Sequence, residues 1–245
     1  MRTDGGVATM GAEAGAVRAD AGAVSVWEVD LAPDDPRAEA AALRLLDDAE
    51  HARVARLTDP RKRAALLRSH AAVRVLLAAR TGLPAERIAW SAAANGKPAP
   101  VADCAWSLSR SGQRALIALT RGPAVGVDLQ AEHPHGEPAA LALRFFAPAE
   151  VAEVATAPGA HARVRRLCRL LARKEAWAKA AGGRLLHVLP HDSRGPAPKW
   201  WDGAEYFIAD LKPAPGFAAA VAAAGRPPGP VDHHLCDWRD LCAPN

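Results

Sequence analysis

The stretch Trp106–Gln130, WSLSRSGQRALIALTRGPAVGVDLQ, constrains the chain more than any other. It reads as two strands joined at Gly122 and Pro123, with a polar knuckle from Ser107 to Gly112 at the outer end of the first. In the second strand Val125, Val127 and Leu129 take one face, and Gly126, Asp128 and Gln130 take the other. Asp128 and Gln130 then stand roughly 6.5–7 Å apart along the strand, beside a glycine that leaves room for a ligand. Aspartate is a poor strand former. Two readings are open here: a solvated sheet face, or an acid kept for a ligand.

A second break in pattern lies in ARVRRLCRLLARKEAWAKAA, residues 162–181. Its helical apolar stripe runs through Val164, Leu167, Cys168 and Leu171, and its next position is Glu175, followed by Ala178. An acid on a core-facing stripe breaks a local rule, and such breaks gather at functional sites. Lys179 lies one turn on, so an ordinary i,i+4 ion pair on a wet helix is the competing reading.

Around these two stretches the chain alternates helical and strand patterns. Val24–Leu31 alternates as a first strand, Arg37–Leu57 and Arg61–Arg80 read as helices, and Pro84–Trp90 leads into a short strand. Asn95-Gly96-Lys97-Pro98 is a turn. No Ser or Thr follows its lysine, so it is not a nucleotide-hydrolase phosphate loop. Further helices follow near Ala139–Phe146 and Pro148, then strands near Tyr206–Leu211 and Phe217–Ala223. We therefore expect a disordered tail (1–23), an N-terminal lobe (24–123), a C-terminal lobe (124–225) and a polar surface tail (226–245). Each lobe has a helix-rich segment closed by a hairpin.

Half of the 245 residues are hydrophobic, ample for one large core or two modest lobes. The net charge of +4 suits an anionic ligand or an acidic partner. No aromatic-studded basic motif points to nucleic acid. Cys104, Cys168, Cys236 and Cys242 lack CxxC spacing, which fits reduced thiols and a cytoplasmic protein. No apolar run approaches the ~20 residues that span a bilayer. His133-x-His135 and His233-His234 lack the Cys or acid partners of a zinc site.

Several stretches, in order, resemble the Sfp-type 4′-phosphopantetheinyl transferases: NGKP at 95–98, WSLSRSG at 106–112, GVDLQ at 126–130, RFFAPAE at 144–150 and RKEAWAKAAGG at 173–183. The resemblance covers roughly residues 24 to 224. It implies an α+β pseudo-dimer of two similar lobes with the ligand site at their interface, active as a monomer. It also implies transfer of 4′-phosphopantetheine from coenzyme A to a serine of an apo acyl or peptidyl carrier protein, releasing 3′,5′-ADP. Carriers of this kind serve fatty acid, polyketide and nonribosomal peptide synthesis. By the same resemblance Asp128, Glu175 and Gln130 hold Mg²⁺, and Glu175 takes the serine proton. Lys179 offsets charge on the departing 3′,5′-ADP, and Lys97, Ser109, Arg110 and Lys174 contact coenzyme A.

Three positions depart from that family's pattern. Gln130 replaces the usual second acid, Arg110 replaces a histidine, and Ala65 stands where a phosphate-binding arginine often sits, with Arg61, Arg63 and Arg68 on the same helix. They motivate a second hypothesis, a lapsed relative that binds coenzyme A or carrier without transfer. Charge alone motivates a third, a basic nucleic-acid-binding protein.

Overall fold

The computed structural model describes residues 23–91, 97–133, 136–228 and 231–242. The expected tail up to residue 22, Asn95-Gly96 and His135 lie outside these. Strand β1 (Ser25–Asp30) opens the chain and is followed by helices α1 (Pro36–Leu45), α2 (Asp48–Ala55) and α3 (Pro60–Thr81). Strands β2 (Ala105–Ser111), β3 (Arg114–Thr120) and β4 (Val125–Ala131) come next. Helices α4 (Pro138–Phe145), α5 (Pro148–Ala155), α6 (Gly159–Ala181) and α7 (Leu185–Val188) then precede β5 (Lys199–Trp201), β6 (Ala204–Leu211) and β7 (Phe217–Ala224). Strand β8 (Asp232–Asp237) and helix α8 (Trp238–Cys242) end the described chain. Two four-stranded sheets result, ordered β2-β3-β1-β8 and β4-β7-β6-β5. The fold is α+β.

The order strand, three helices, hairpin (β1, α1–α3, β2–β3) returns in the second half with α7 and β5 inserted before the hairpin β6–β7. In both rounds a glutamate at the third position of the middle helix reaches back to its own N-terminus: Glu50 accepts from the Asp47 N–H, and Glu150 from the Ala147 N–H. Each glutamate also holds a buried cation from the long helix. Arg74 lies 2.6 Å from Glu50, and Lys174 lies 2.7 Å from Glu150. Both long helices end on a left-handed glycine, Gly82 (φ 76°) and Gly182 (φ 66°).

Four expectations change. The helix expected over 37–57 is two helices, because Asp47 caps α2 and breaks the run at Leu46. Among the described residues no strand forms near Trp90; Ala85–Arg87 is a 3₁₀ turn. The hairpin lies between β2 and β3, turning at Gly112-Gln113, while Gly122-Pro123 leads β4 into the other sheet. The polar knuckle is thus part of a strand. Finally, the segment expected as a surface tail supplies β8, parallel to β1, and α8. Trp238 is fully buried under the Arg68 guanidinium, and its indole N–H donates to the Pro33 carbonyl.

The sheets pack face to face through Val24, Val26, Leu116 and Ala118 from one, and Val125, Val127, Leu129 and Val221 from the other. Side chains also tie the first half of the chain to the second. Both Glu28 oxygens accept the Ala214 N–H at 3.1 Å, and Lys97 Nζ donates to the Ala180 carbonyl near the end of α6 at 2.6 Å.

Candidate active site

The site starts from how α6 sits on β4. A Cβ at Gly126 would lie 2.2 Å from the Ala176 carbonyl oxygen and 2.4 Å from the Ala180 nitrogen, so no other residue permits this approach. Gly126 therefore makes room for the helix rather than for a ligand, which corrects the sequence reading. The approach brings the interrupted stripe of α6 onto the acid of β4.

Asp128 is 2% exposed, so the solvated-face reading fails. Its Oδ1 accepts from Lys179 Nζ at 2.6 Å and from the Ser109 hydroxyl at 2.7 Å. Lys179 also donates to the Val127 carbonyl at 3.1 Å. Its partner is thus Asp128 across the strand, not Glu175 one turn away. Gln130 Nε2 donates to Asp128 Oδ2 at 2.7 Å and reaches Glu175 Oε1 at 3.4 Å. The amide stands between the two carboxylates.

Burial raises the Glu175 pKa to about 7, and the neighbouring Asp128 charge adds to it, with Lys179 opposing. Two acids facing each other with a single lysine make a place where a cation is favoured. The donor set is two carboxylates and one amide, all offering hard oxygens once the amide turns. That fits Mg²⁺, which takes one or two carboxylates and completes its shell with water and phosphate. Among the described residues no group of three or more His, Cys, Asp or Glu is placed to hold a metal, so most ligands here would come from substrate and solvent.

These residues line one end of a cleft of about 1110 Å³. Arg53, Arg61, Lys62, Lys97, Arg110 and Lys179 make its walls cationic, against Asp59, Asp128 and Glu175. Trp90 and Trp106, edge to face at 4.9 Å, give it an apolar side. His70 lines it too, held through Nδ1 by Glu50 at 2.5 Å. Arg110 is exposed on β2 and its pKa is lowered by the cleft's desolvation and then by Arg53. Burial lowers Lys97 to about 8. Arg53, Lys62, His70 and the two tryptophans were not singled out from the sequence; α2 and α3 carry so many cations that spacing alone does not distinguish the inward-facing ones.

Two expected coenzyme contacts sit differently. Lys174 is fully buried beside Glu150 and donates to the carbonyls of Leu189 and His191 at 2.8 and 2.5 Å; it does not line the cleft. Neighbouring helix positions face different ways, so a lysine next to Glu175 cannot share its site. Ser109 does border the cleft, but its proton is already donated to Asp128. Of the arginines near Ala65, Arg61 lines the cleft, Arg63 is bonded to the Leu57 carbonyl, and Arg68 is paired with Asp34 and Glu39.

Residues 124–222, which include β4 and α6, match the sequence pattern of the 4′-phosphopantetheinyl transferase superfamily. A curated Synechocystis protein, named as a candidate 4′-phosphopantetheinyl transferase, is 32% identical over 157 residues. Over these stretches the chain is similar to the 4′-phosphopantetheinyl transferase superfamily. The shared stretch covers 61% of this chain and 63% of the relative. Asp128, Gln130, Glu175 and Lys179 all fall inside the segment that matches the superfamily. The described residues contain no helix long and apolar enough to cross a membrane.

Proposed function

We propose that this chain is a member of that superfamily and a Mg²⁺-dependent transferase that moves 4′-phosphopantetheine from coenzyme A to a serine of an apo acyl or peptidyl carrier protein. The observation that carries the reading is the meeting of Asp128, Gln130, Glu175 and Lys179 at the end of a cationic cleft. The acceptor serine oxygen attacks the phosphorus that bears pantetheine, and the pyrophosphate P–O bond to 3′,5′-ADP breaks. Glu175 takes the serine proton, a task for which a carboxyl titrating near neutrality is suited. Lys179 balances charge gathering on the departing phosphate. Asp128, Glu175 and, with its amide turned, the Gln130 oxygen would hold Mg²⁺, which when bound would neutralise charge on the pyrophosphate. Arg53, Arg61, Lys62 and Arg110 hold the phosphates, and the Trp90–Trp106 wall takes an uncharged part of the coenzyme. The four free cysteines agree with work in the cytoplasm.

The test is to incubate the protein with coenzyme A, Mg²⁺ and diverse apo carriers, then weigh the carriers. Gln130 gives grounds for a second reading, since its amide nitrogen stands where a cation would help. A lapsed relative would bind coenzyme A yet leave every carrier unmodified. The cations gather inside a cleft rather than over an open face, which lends nothing to nucleic-acid binding.

Two expected results follow from this site. Arg110→Ala should raise the KM for coenzyme A by roughly 10- to 150-fold, the loss of one charge-assisted contact, and Arg110→His should recover most of it. Unchanged kinetics in the alanine variant would place Arg110 outside the contact set. For Gln130→Glu, the Mg²⁺ needed for half-maximal activity should fall, with little change at saturation. The added acid supplies a third carboxylate beside Asp128 and Glu175, and Lys179 and the cleft cations limit the repulsion among them. A Mg²⁺ titration at saturating coenzyme A decides this, and no fall would mean that residue 130 does not face the metal.

A further inference from the structure

Ser109 has a role that follows from how β4 is held, and the inference rests on the transfer reading of the same cleft. Among the described residues strand β4 pairs through its backbone with β7 alone and forms the edge of its sheet. Its other edge faces β2, which belongs to the other sheet. In an antiparallel edge strand, alternate N–H groups point outward without a partner. Here Ser107, Ser109 and Ser111, every second residue of β2, accept the N–H groups of Val127, Leu129 and Ala131 at 3.1, 3.3 and 2.9 Å. Three hydroxyls take the place of a neighbouring strand's carbonyls across the lobe boundary.

A hydroxyl that accepts in this way still has one proton to give. Ser109 gives its proton to Asp128 Oδ1, which also takes Lys179. With Oδ1 doubly held, Oδ2 is the oxygen left toward Gln130 and Glu175. A phosphate oxygen needs a donor, and Ser109's only proton is committed. We infer that Ser109 is a positioning residue, which aims Asp128 from the opposite lobe, and not a contact of the coenzyme's phosphates.

Ser107 supplies the control, because Ser107→Ala removes a rung of the same ladder without touching Asp128. Cation binding is read by titrating Mn²⁺ into the protein alone, and coenzyme A binding by calorimetry in the presence of a chelator. Ser109→Ala should weaken Mn²⁺ binding on the order of tenfold, the loss of one hydrogen bond to a charged group, and leave coenzyme A affinity unchanged. Ser107→Ala should lower thermal stability but alter neither affinity. Should Ser109→Ala fail to fold, Ser109→Cys keeps the size with a weaker donor, and the same split is expected. Loss of coenzyme A affinity with cation binding intact would overturn the inference, as would a Ser109 variant indistinguishable from Ser107→Ala. Neither measurement needs turnover. A wild-type protein that transfers nothing would therefore sink the functional proposal while leaving this test decisive.

Discussion

Glu175→Ala is expected to abolish transfer, with losses of about 10³- to 10⁴-fold or more, since loss of a general base alone typically costs about 10²- to 10⁴-fold and a metal ligand goes with it. The fold should survive. Glu175 is half-buried at the cleft, and the neighbouring packing of α6 on β4 runs through Gly126, Ala176 and Ala180. Carrier mass and circular dichroism together check the prediction; turnover near wild type would remove Glu175 from the site. The raised pKa adds a second readout in metal-free protein. A carboxyl at about 7 when folded, against 4.5 in the unfolded chain, holds its proton more tightly in the native state. Its contribution to stability is full below pH 4.5 and is lost as pH rises through 7. Glu175→Gln should therefore stabilise the metal-free protein above pH 7, with the gain shrinking toward pH 4.5. Added Mg²⁺ should narrow that gain by stabilising only the wild type.

Lys174→Ala should destabilise the protein by about 3–5 kcal/mol, the usual cost of leaving a buried acid without its partner. Lys174 and Glu150 are both fully buried, and the ammonium also satisfies the Leu189 and His191 carbonyls. Denaturant unfolding measures the loss. The double variant Glu150→Gln, Lys174→Met should recover much of it, because no charge is then left buried. Folded Lys174→Ala protein should keep its affinity for coenzyme A. A large fall in that affinity at unchanged stability would return Lys174 to the ligand site.

Lys174 and Glu175 show what a sequence can and cannot reveal here. Glu175 was legible because it interrupts an apolar stripe, and Asp128 because it sits in a strand that disfavours it. Both signals are breaks in a local pattern. Lys174 breaks none, since a lysine beside a glutamate on a long helix looks solvated whichever way it points. Its burial is decided by Glu150, which arrives from another helix. Gly126 was seen as open space because the strand alone does not show what packs on it. The serines of β2 read as a polar knuckle at the strand's end for a similar reason: their polarity serves β4, a strand of the other sheet. Arg53 and Lys62 carried no local signal, as cations on helices are ordinary. Most helices are legible from periodicity and the α+β class from the family resemblance, whereas strand partners depend on contacts distant in sequence.

The most distant of these has a consequence for how the chain acquires its shape during synthesis. Val26 lies opposite His233 in the parallel pair of β1 and β8, and Trp238 fills a socket built from Pro33 and Arg68. The first lobe leaves the ribosome early but cannot close its sheet until a strand some two hundred residues later emerges. Every strand of the second sheet precedes β8 in the chain. Domains usually fold in the order in which they are made; here the lobe made first is the one finished last. A released chain ending at Ala224 would hold every strand of the second sheet beside a first sheet with an open edge and a socket without its tryptophan, a natural target for chaperones and proteases.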